Sequence, residues 1–353
     1  MIRDRTMPLL TNILRGLPGQ KVQAGFIGKV PTCQDFIRYQ AGSGTGRALH
    51  DWISSGISHL PARSEEDWRG KLATFPTYRF YVAPRGRSRP SLGIIKSSHD
   101  TVGREHPFVR FLVLPSSVRV GQFTDLLPSL STYFSEIEAL RHADGKHLEL
   151  AELIAQSQSL ERSHRGLDGR REKGHGRAIL TQMTMGEWWD AISPNFDASQ
   201  RLRFADDLSC VLNTIVARGP ERVSWGLRLP LPGQNHMRLI SLVFWLSLIN
   251  GFLRSVRWTP YVFWNDTEDA ENSLTIFFRE PVPVGFADLV FPVQGERSSV
   301  DILRRPLEKT GNLDDKILVS LVEETGMPLQ SALDAWIKGG KGNGRTRIDE
   351  RSE

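Results

Sequence analysis

The chain of 353 residues carries 39% hydrophobic and 24% charged side chains, a globular balance that excludes an intrinsically disordered protein. Its two cysteines, Cys33 and Cys210, cannot build a disulfide framework, so a reducing compartment fits best. A net charge of +5 and a pI near 9.3 permit nucleic-acid binding without demanding it.

The first twenty residues, opening MIRDRTMPLLTNILRG, have neither the apolar run nor the cleavage site of a secretory signal and read as a flexible arm. Residues 22–30 (VQAGFIGKV) read as a strand that turns at Pro31. Thr32 and Asp35 have capping-box spacing, which predicts a short helix through Phe36 and Ile37. Residues 41–47 (AGSGTGR) read as a loop. Leu49, Trp52, Ile53, Ile57 and Leu60 then fall at helical spacing, stopped by Pro61. Strands follow at 77–83, 92–98 and 107–114, the first two joined by a basic hairpin loop, and helices at 121–140 and 147–158. Residues 160–177 (LERSHRGLDGRREKGHGR) are nearly devoid of apolar side chains and read as an exposed basic insertion and the clearest internal boundary.

The second half predicts helices at 185–192 and 200–217, a strand at 223–229 and an apolar helix at 235–253. Strands at 261–265 and 273–279 are joined by an acidic turn, and small helices follow at 314–324 and 328–337. Residues 338–353 read as a disordered tail. The uncharged stretch 239–253 lies between Arg238 and Arg254. It is shorter than the ~20 residues that span a bilayer, so a buried core helix and no transmembrane segment are expected. Strands linked too tightly for helical crossovers must pair antiparallel, so the expected fold is α/β, a mixed sheet covered by helices, continuous over residues 21–337.

The motifs that carry chemistry are mostly absent. Gly42-Ser-Gly-Thr-Gly46-Arg47 lacks the Lys of a phosphate loop and the third Gly of a dinucleotide fingerprint. Lys29, at a strand end, serves a ligand or is solvated. The His50-Asp51 and His99-Asp100 pairs are adjacent in sequence, whereas a catalytic His needs its carboxylate beside it in space. No histidine or cysteine spacing suits a metal. Cys210 sits among core positions of a helix, and Cys33 lies near a predicted helix start. The basic stretches at 85–89 and 162–177 lack aromatics for base stacking, so no DNA partner and no cofactor are expected. The segment Asp100-Thr-Val-Gly-Arg104 has two readings. Asp100 would bond the turn's amides while Arg104 reaches a carboxylate such as Asp35. The result is either a hairpin connection held by local hydrogen bonds or a rigid polar knob for a partner protein.

Four motifs in order carry a resemblance: Gly25-Phe-Ile-Gly-Lys-Val-Pro31 with Gln34-Asp35-Phe36-Ile37-Arg38; Asp51-Trp52-Ile53; Pro76-Thr-Tyr78-Arg79-Phe80; and Ser98-His-Asp100-Thr-Val102-Gly103-Arg104-Glu-His-Pro107-Phe108. Over residues 22–115 the chain resembles the TagF (ImpM-like) family of type VI secretion-associated proteins. It departs at Gln34, Tyr78, Thr101 and His106, where the family pattern has Gly, Trp, Arg and Phe. The resemblance implies a three-layer α/β/α sandwich and a cytoplasmic bacterial protein that regulates rather than catalyses. It further implies that the protein restrains the type VI apparatus after translation, in connection with a forkhead-associated scaffold protein. The expected contact residues are Lys29, Asp35, Arg38, Arg79, Asp100 and Arg104, with Gly103 in the turn and Trp52 and Tyr78 as aromatic anchors. The same residue types would also serve to hold the fold. Two rivals remain open: an enzyme using Asp35, His99 or Asp100, and a binder of nucleic acid or anionic membrane acting through residues 162–177.

Overall fold

The computed structural model describes residues 21–41, 44–62, 67–84, 88–140, 145–167, 172–265, 272–291, 299–302 and 316–340. The predicted arm, the loop positions 42–43, most of the acidic turn and residues 341–353 of the predicted tail lie outside these residues, while 338–340, expected to be disordered, end the helix Leu329–Gly340.

The described strands are β1 (Gln23–Gly28), β2 (Ile37–Tyr39), β3 (Tyr78–Val82), β4 (Ser91–Lys96), β5 (Phe108–Val113), β6 (Gly226–Pro230), β7 (Tyr261–Asn265), β8 (Ser273–Phe277) and β9 (Ser299–Asp301). They form one mixed sheet in the order β2-β1-β5-β4-β3-β7-β8-β6-β9. Every pairing is antiparallel except β6 with β9. The two halves of the chain meet at β3 and β7, in the register Phe80 opposite Phe263.

Helices cover both faces. On the thinner side lie α1 (Thr45–Ile57), α2 (Trp68–Thr74) and α10 (Val284–Val290), packed against Tyr78, Phe80, Val82, Val109, Phe111 and Phe263. The thicker side carries α3 (Val120–Leu126), α4 (Ser131–Glu138), α5 (Leu150–Ser163), α6 (His175–Leu180), α7 (Met185–Ile192), α8 (Ala198–Arg218), α9 (Asn235–Phe252), α11 (Lys316–Glu323) and α12 (Leu329–Gly340). The main core lies there, against Tyr81, Leu92, Ile94, Leu112 and Val262, with a satellite cluster around Phe26 and Phe108 beneath α5. Because both faces of the central strands are covered, the alternation in TYRFYVA decides only which layer each residue enters, with Tyr78, Phe80 and Val82 on the thinner side and Tyr81 on the thicker. The layers are those of an α/β/α sandwich.

The predicted core helix is α9. It is the one described helix long and apolar enough to cross a membrane, and it is 67% buried within the protein. Trp188 and Trp336 close on it, with ring centroids 4.8 and 6.5 Å from Trp245.

Three expectations need correction. Residues 32–37 form no helix. The Thr32 hydroxyl donates to the Leu148 carbonyl at 3.1 Å instead of capping, and the chain folds back as β2, with Ile27 opposite Arg38. Cys33 therefore sits at no helix start. The helix over 121–140 is broken: α3 gives way to a tight 3-10 turn at Leu127–Ser129, where Pro128 cannot donate, before α4 begins. The basic stretch is not a boundary from residue 160. Helix α5 runs on to Ser163 with Leu160 buried, and Glu161 accepts from the Ala24 amide and the Gln40 side chain, both at 3.0 Å. Beyond it, α6 begins at His175, and residues 168–171 lie outside the described residues.

Part of the Gly-rich loop has a packing role. A side chain at Gly25 or Gly46 would strike the Phe111 ring, so these two glycines make the slot that the ring fills.

Candidate functional site

The densest polar constellation is the connection between β4 and β5. The Asp100 side chain is fully buried, and its carboxylate accepts four donors. Oδ1 takes the amides of Val102 at 3.1 Å and Arg104 at 2.9 Å. Oδ2 takes Lys29 Nζ at 3.0 Å and Arg104 Nε at 2.7 Å. Desolvation raises the Asp100 pKa, but the Arg104 amide, the Lys29 and Arg104 side chains and the Val102 amide outweigh it. They hold the carboxyl well below the usual range.

Two glycines make this geometry possible. Gly28 places Lys29 at the end of β1 with φ of +139°, and any side chain there would overlap the backbone of Pro107. Gly103 turns the chain at φ of +81° with open space around it, so only its backbone conformation calls for glycine. The Asp100 turn is also tied to the loop at 31–36. Arg104 Nη2 donates to the Gln34 carbonyl at 2.9 Å, and the Thr101 amide to the Cys33 carbonyl at 3.2 Å.

The predicted partner of Arg104 is thus wrong in one respect. It bonds Asp100 and the carbonyl of Gln34, while Asp35 stays exposed. The remaining predicted residues divide. Arg38 lies exposed on β2 beside this region. Arg79 lies elsewhere, on the thick face, paired with Glu138 at 2.6 and 3.2 Å and stacked over Phe134. Trp52 and Tyr78 are not surface anchors. Trp52 is buried, stacks on Phe263 at 5.2 Å and donates to the Val282 carbonyl at 2.9 Å. Tyr78 is 1% exposed and donates to the Leu289 carbonyl at 3.1 Å, its phenol pushed up to about 12 by burial.

Among the polar side chains that the network presents to solvent stand two apolar ones. Phe36 is 40% exposed and Val102 is 62% exposed, on the two loops that Arg104 clamps together. The Phe36 ring meets the edges of His106 at 4.6 Å and His50 at 5.0 Å. His106 Nδ1 donates to the Pro107 carbonyl, which can only accept, so Nε2 accepts from Ser54 Oγ at 3.3 Å. Burial pushes His106 down to about 4 against the pull of that carbonyl bond, and burial likewise lowers His50, so Phe36 rests on two neutral rings at pH 7. Sequence reasoning missed Phe36, Val102, His50 and His106 as a group. The one available signal was that Val102 is a β-branched residue inside a turn, with no periodic partner.

The arrangement favours holding and display over acid–base chemistry. Asp100 has its acceptor capacity filled, and His99 Nδ1 donates to the Asp100 carbonyl at 2.9 Å rather than to a carboxylate. Among the described residues no group of three or more His, Cys, Asp or Glu side chains is placed to hold a metal.

The family model of the TagF N-terminal domain, Type VI secretion system-associated, matches residues 25–160. That span contains the Asp100 turn, the 31–36 loop and the four motifs quoted above. Among solved structures, PA0076 from Pseudomonas aeruginosa PAO1 aligns with 39% of this chain at 23% identity and a TM-score of 0.34. The chain spans 61% of that protein's length. No curated protein matches the chain.

Proposed function

We propose that the protein is a non-catalytic cytoplasmic regulator of a type VI secretion system, a reading supported by the match of residues 25–160 to the family model of the TagF N-terminal domain, Type VI secretion system-associated. It acts after translation, as a repressor, by binding a component of the machine, with a forkhead-associated scaffold protein as the expected partner. The observation that carries the binding surface is the pair of exposed apolar side chains, Phe36 and Val102, on loops locked by the buried Asp100–Lys29–Arg104 network. Exposed apolar residues held rigid by a polar frame pay little ordering entropy when a partner covers them. Arg104, with its side chain 59% exposed, together with Asp35 and Arg38, supplies a polar rim.

The test is affinity capture from lysate of the native bacterium, with captured proteins identified by mass spectrometry. Wild type is compared with Phe36→Ala/Val102→Ala and with Asp100→Ala/Arg104→Ala, each checked for folding by circular dichroism. Type VI components captured by wild type and lost in the folded Phe36/Val102 variant are the expected result. Equal capture by that variant, or no type VI component in any sample, overturns the proposal. The basic-insertion reading has less support, because two of its described basic side chains already have partners: His175 contacts Glu172 at 2.7 Å and Arg177 contacts Asp334 at 2.6 Å.

A further inference from the structure

The sheet has a second end, opposite the Asp100 turn. Tyr78 of β3 pairs with Ile95 and Asn265 at the Asp100 end, and Val82 with Ser91 and Tyr261 at the other. At that other end β6 and β7 begin and β8 finishes, with Gly226 and Tyr261 both opposite Phe277. The segments that enter and leave these strands, 218–225, 254–259 and 278–280, carry five arginines, two glutamates and no lysine. Packing brings them together. Trp225 and Trp258 both lie against Phe278, with ring centroids 6.4 and 5.8 Å away. The Arg279 guanidinium donates to the Glu221 carbonyl at 3.2 Å, and the Thr259 amide donates to the Phe278 carbonyl at 3.2 Å.

Four of the arginines, Arg218, Arg222, Arg254 and Arg257, are exposed, and their guanidinium groups make neither an ion pair nor a hydrogen bond among the described residues. Elsewhere on the surface arginines do find carboxylates, as Arg177 and Arg201 do. Glu221 and Glu280 are the acids of these segments and leave a positive surplus. Arginine rather than lysine suits planar anionic groups, which its fork meets with two parallel bonds. Arginine and tryptophan without lysine is also the composition of protein interfaces. The two indoles are half-buried on Phe278, so they are not the free stacking platforms that single-stranded nucleic acid takes. Their N–H groups have no protein acceptor among the described residues. The large apolar side chains that stand exposed among the described residues, Phe36, Val102 and Leu150, lie outside these segments, so none is there to enter a bilayer.

We propose that this face docks an acidic segment of a partner protein, its carboxylates paired with Arg222, Arg254 and Arg257 and bonded by the two indole N–H groups. The face lies at the far end of the sheet from the Phe36–Val102 surface and is tested on the purified chain, so its failure and the failure of that surface are told apart.

Fluorescence anisotropy with a fluorescein-labelled peptide of alternating glutamate and alanine is expected to show saturable binding at low salt that weakens as salt is added. The twin with glutamine in place of glutamate is expected not to bind. Arg222→Gln/Arg257→Gln, at two exposed positions, should weaken binding at least about fivefold, the effect of losing two exposed ion pairs. Arg162→Gln/Arg165→Gln removes the same charge from another exposed place and should leave binding unchanged. Equal binding of the glutamine twin overturns the proposal, as does undiminished binding to Arg222→Gln/Arg257→Gln. Equal losses in the two double variants overturn it too, because they would mean attraction by net charge alone. Unlabelled oligothymidylate and phosphatidylglycerol vesicles serve as competitors. If either displaces the labelled peptide more effectively than the unlabelled peptide does, the face belongs to nucleic acid or membrane and the proposal falls.

Discussion

Arg110 lies in the middle of β5 with 1% of its surface exposed, beneath α4 and α5. Its Nη1 donates to Gln156 Oε1 at 3.0 Å, while Nε and Nη2 have no partner. Burial pushes its pKa down to about 10, with Tyr133 and Glu136 opposing weakly. A drop of between two and three pH units corresponds to about 3 kcal/mol against the charged form. That cost is complete at neutral pH, because a depressed basic group is relieved only as pH rises through its folded-state value of about 10. The Gln156 bond returns about 1.5–3 kcal/mol. Methionine keeps the unbranched stem and removes the charge, so Arg110→Met should leave the protein as stable as wild type or up to about 2 kcal/mol more stable. Gln156→Leu strips the guanidinium of its bond and should cost about 1.5–3 kcal/mol, a loss that disappears in the Arg110→Met background. Urea denaturation followed by far-ultraviolet circular dichroism reads all four proteins. A loss above about 2 kcal/mol in Arg110→Met alone would refute the reasoning, because it would mean the guanidinium is net stabilising where it lies.

Two further outcomes follow from the Asp100 turn. Asp100→Asn should be less stable than wild type at neutral pH, and the gap should close as pH falls below about 4. A carboxyl depressed in the folded state contributes above its unfolded value and loses that contribution on protonation, so a gap constant from pH 7 to 2 would contradict the network. Gly28→Ala should cost more than Gly103→Ala in thermal denaturation, roughly 3 against 1 kcal/mol, because the first meets the backbone of Pro107 as well as a positive φ while the second meets only the positive φ. Equal losses would show that the loop at 107 yields freely.

The sequence made some of this architecture legible and hid the rest for identifiable reasons. Strands β1, β3, β4 and β5 announce themselves by β-branched and aromatic runs bounded by Gly and Pro, and α9 by an uncharged stretch of helical length. The five-residue span from Asp100 to Arg104 discloses the bonding of Asp100 to the amides of its own turn, and the structure has it, but Arg104 turns back onto Asp100 instead of reaching Asp35. Lys29, the other cation on Asp100, is brought there by the pairing of β1 with β5, and no local spacing announces that. The helix expected at 32–37 fails because Thr32 finds the Leu148 carbonyl, more than a hundred residues ahead, and tertiary contact overrides a local cap. Trp52 and Tyr78 looked like interface anchors because an aromatic in a motif shows chemistry and not depth. Short strands β2 and β9 and the helices α2, α6 and α10 carry too few residues for a period to register.

The seam between β3 and β7 has a consequence for synthesis on the ribosome. Tyr78, Phe80, Tyr81 and Val82 are buried in the finished sheet, and β3 lies between β4 and β7. When β4 and β5 emerge, β3 can pair on one side only. Its other edge waits while about 180 further residues are made, roughly 10–40 s at ordinary elongation rates. Throughout that interval the nascent chain offers an aromatic strand edge of the kind that templates aggregation. A nascent-chain chaperone holding residues 78–82 until 261–265 arrive would shield it, and slowing translation between those segments should lower the soluble yield.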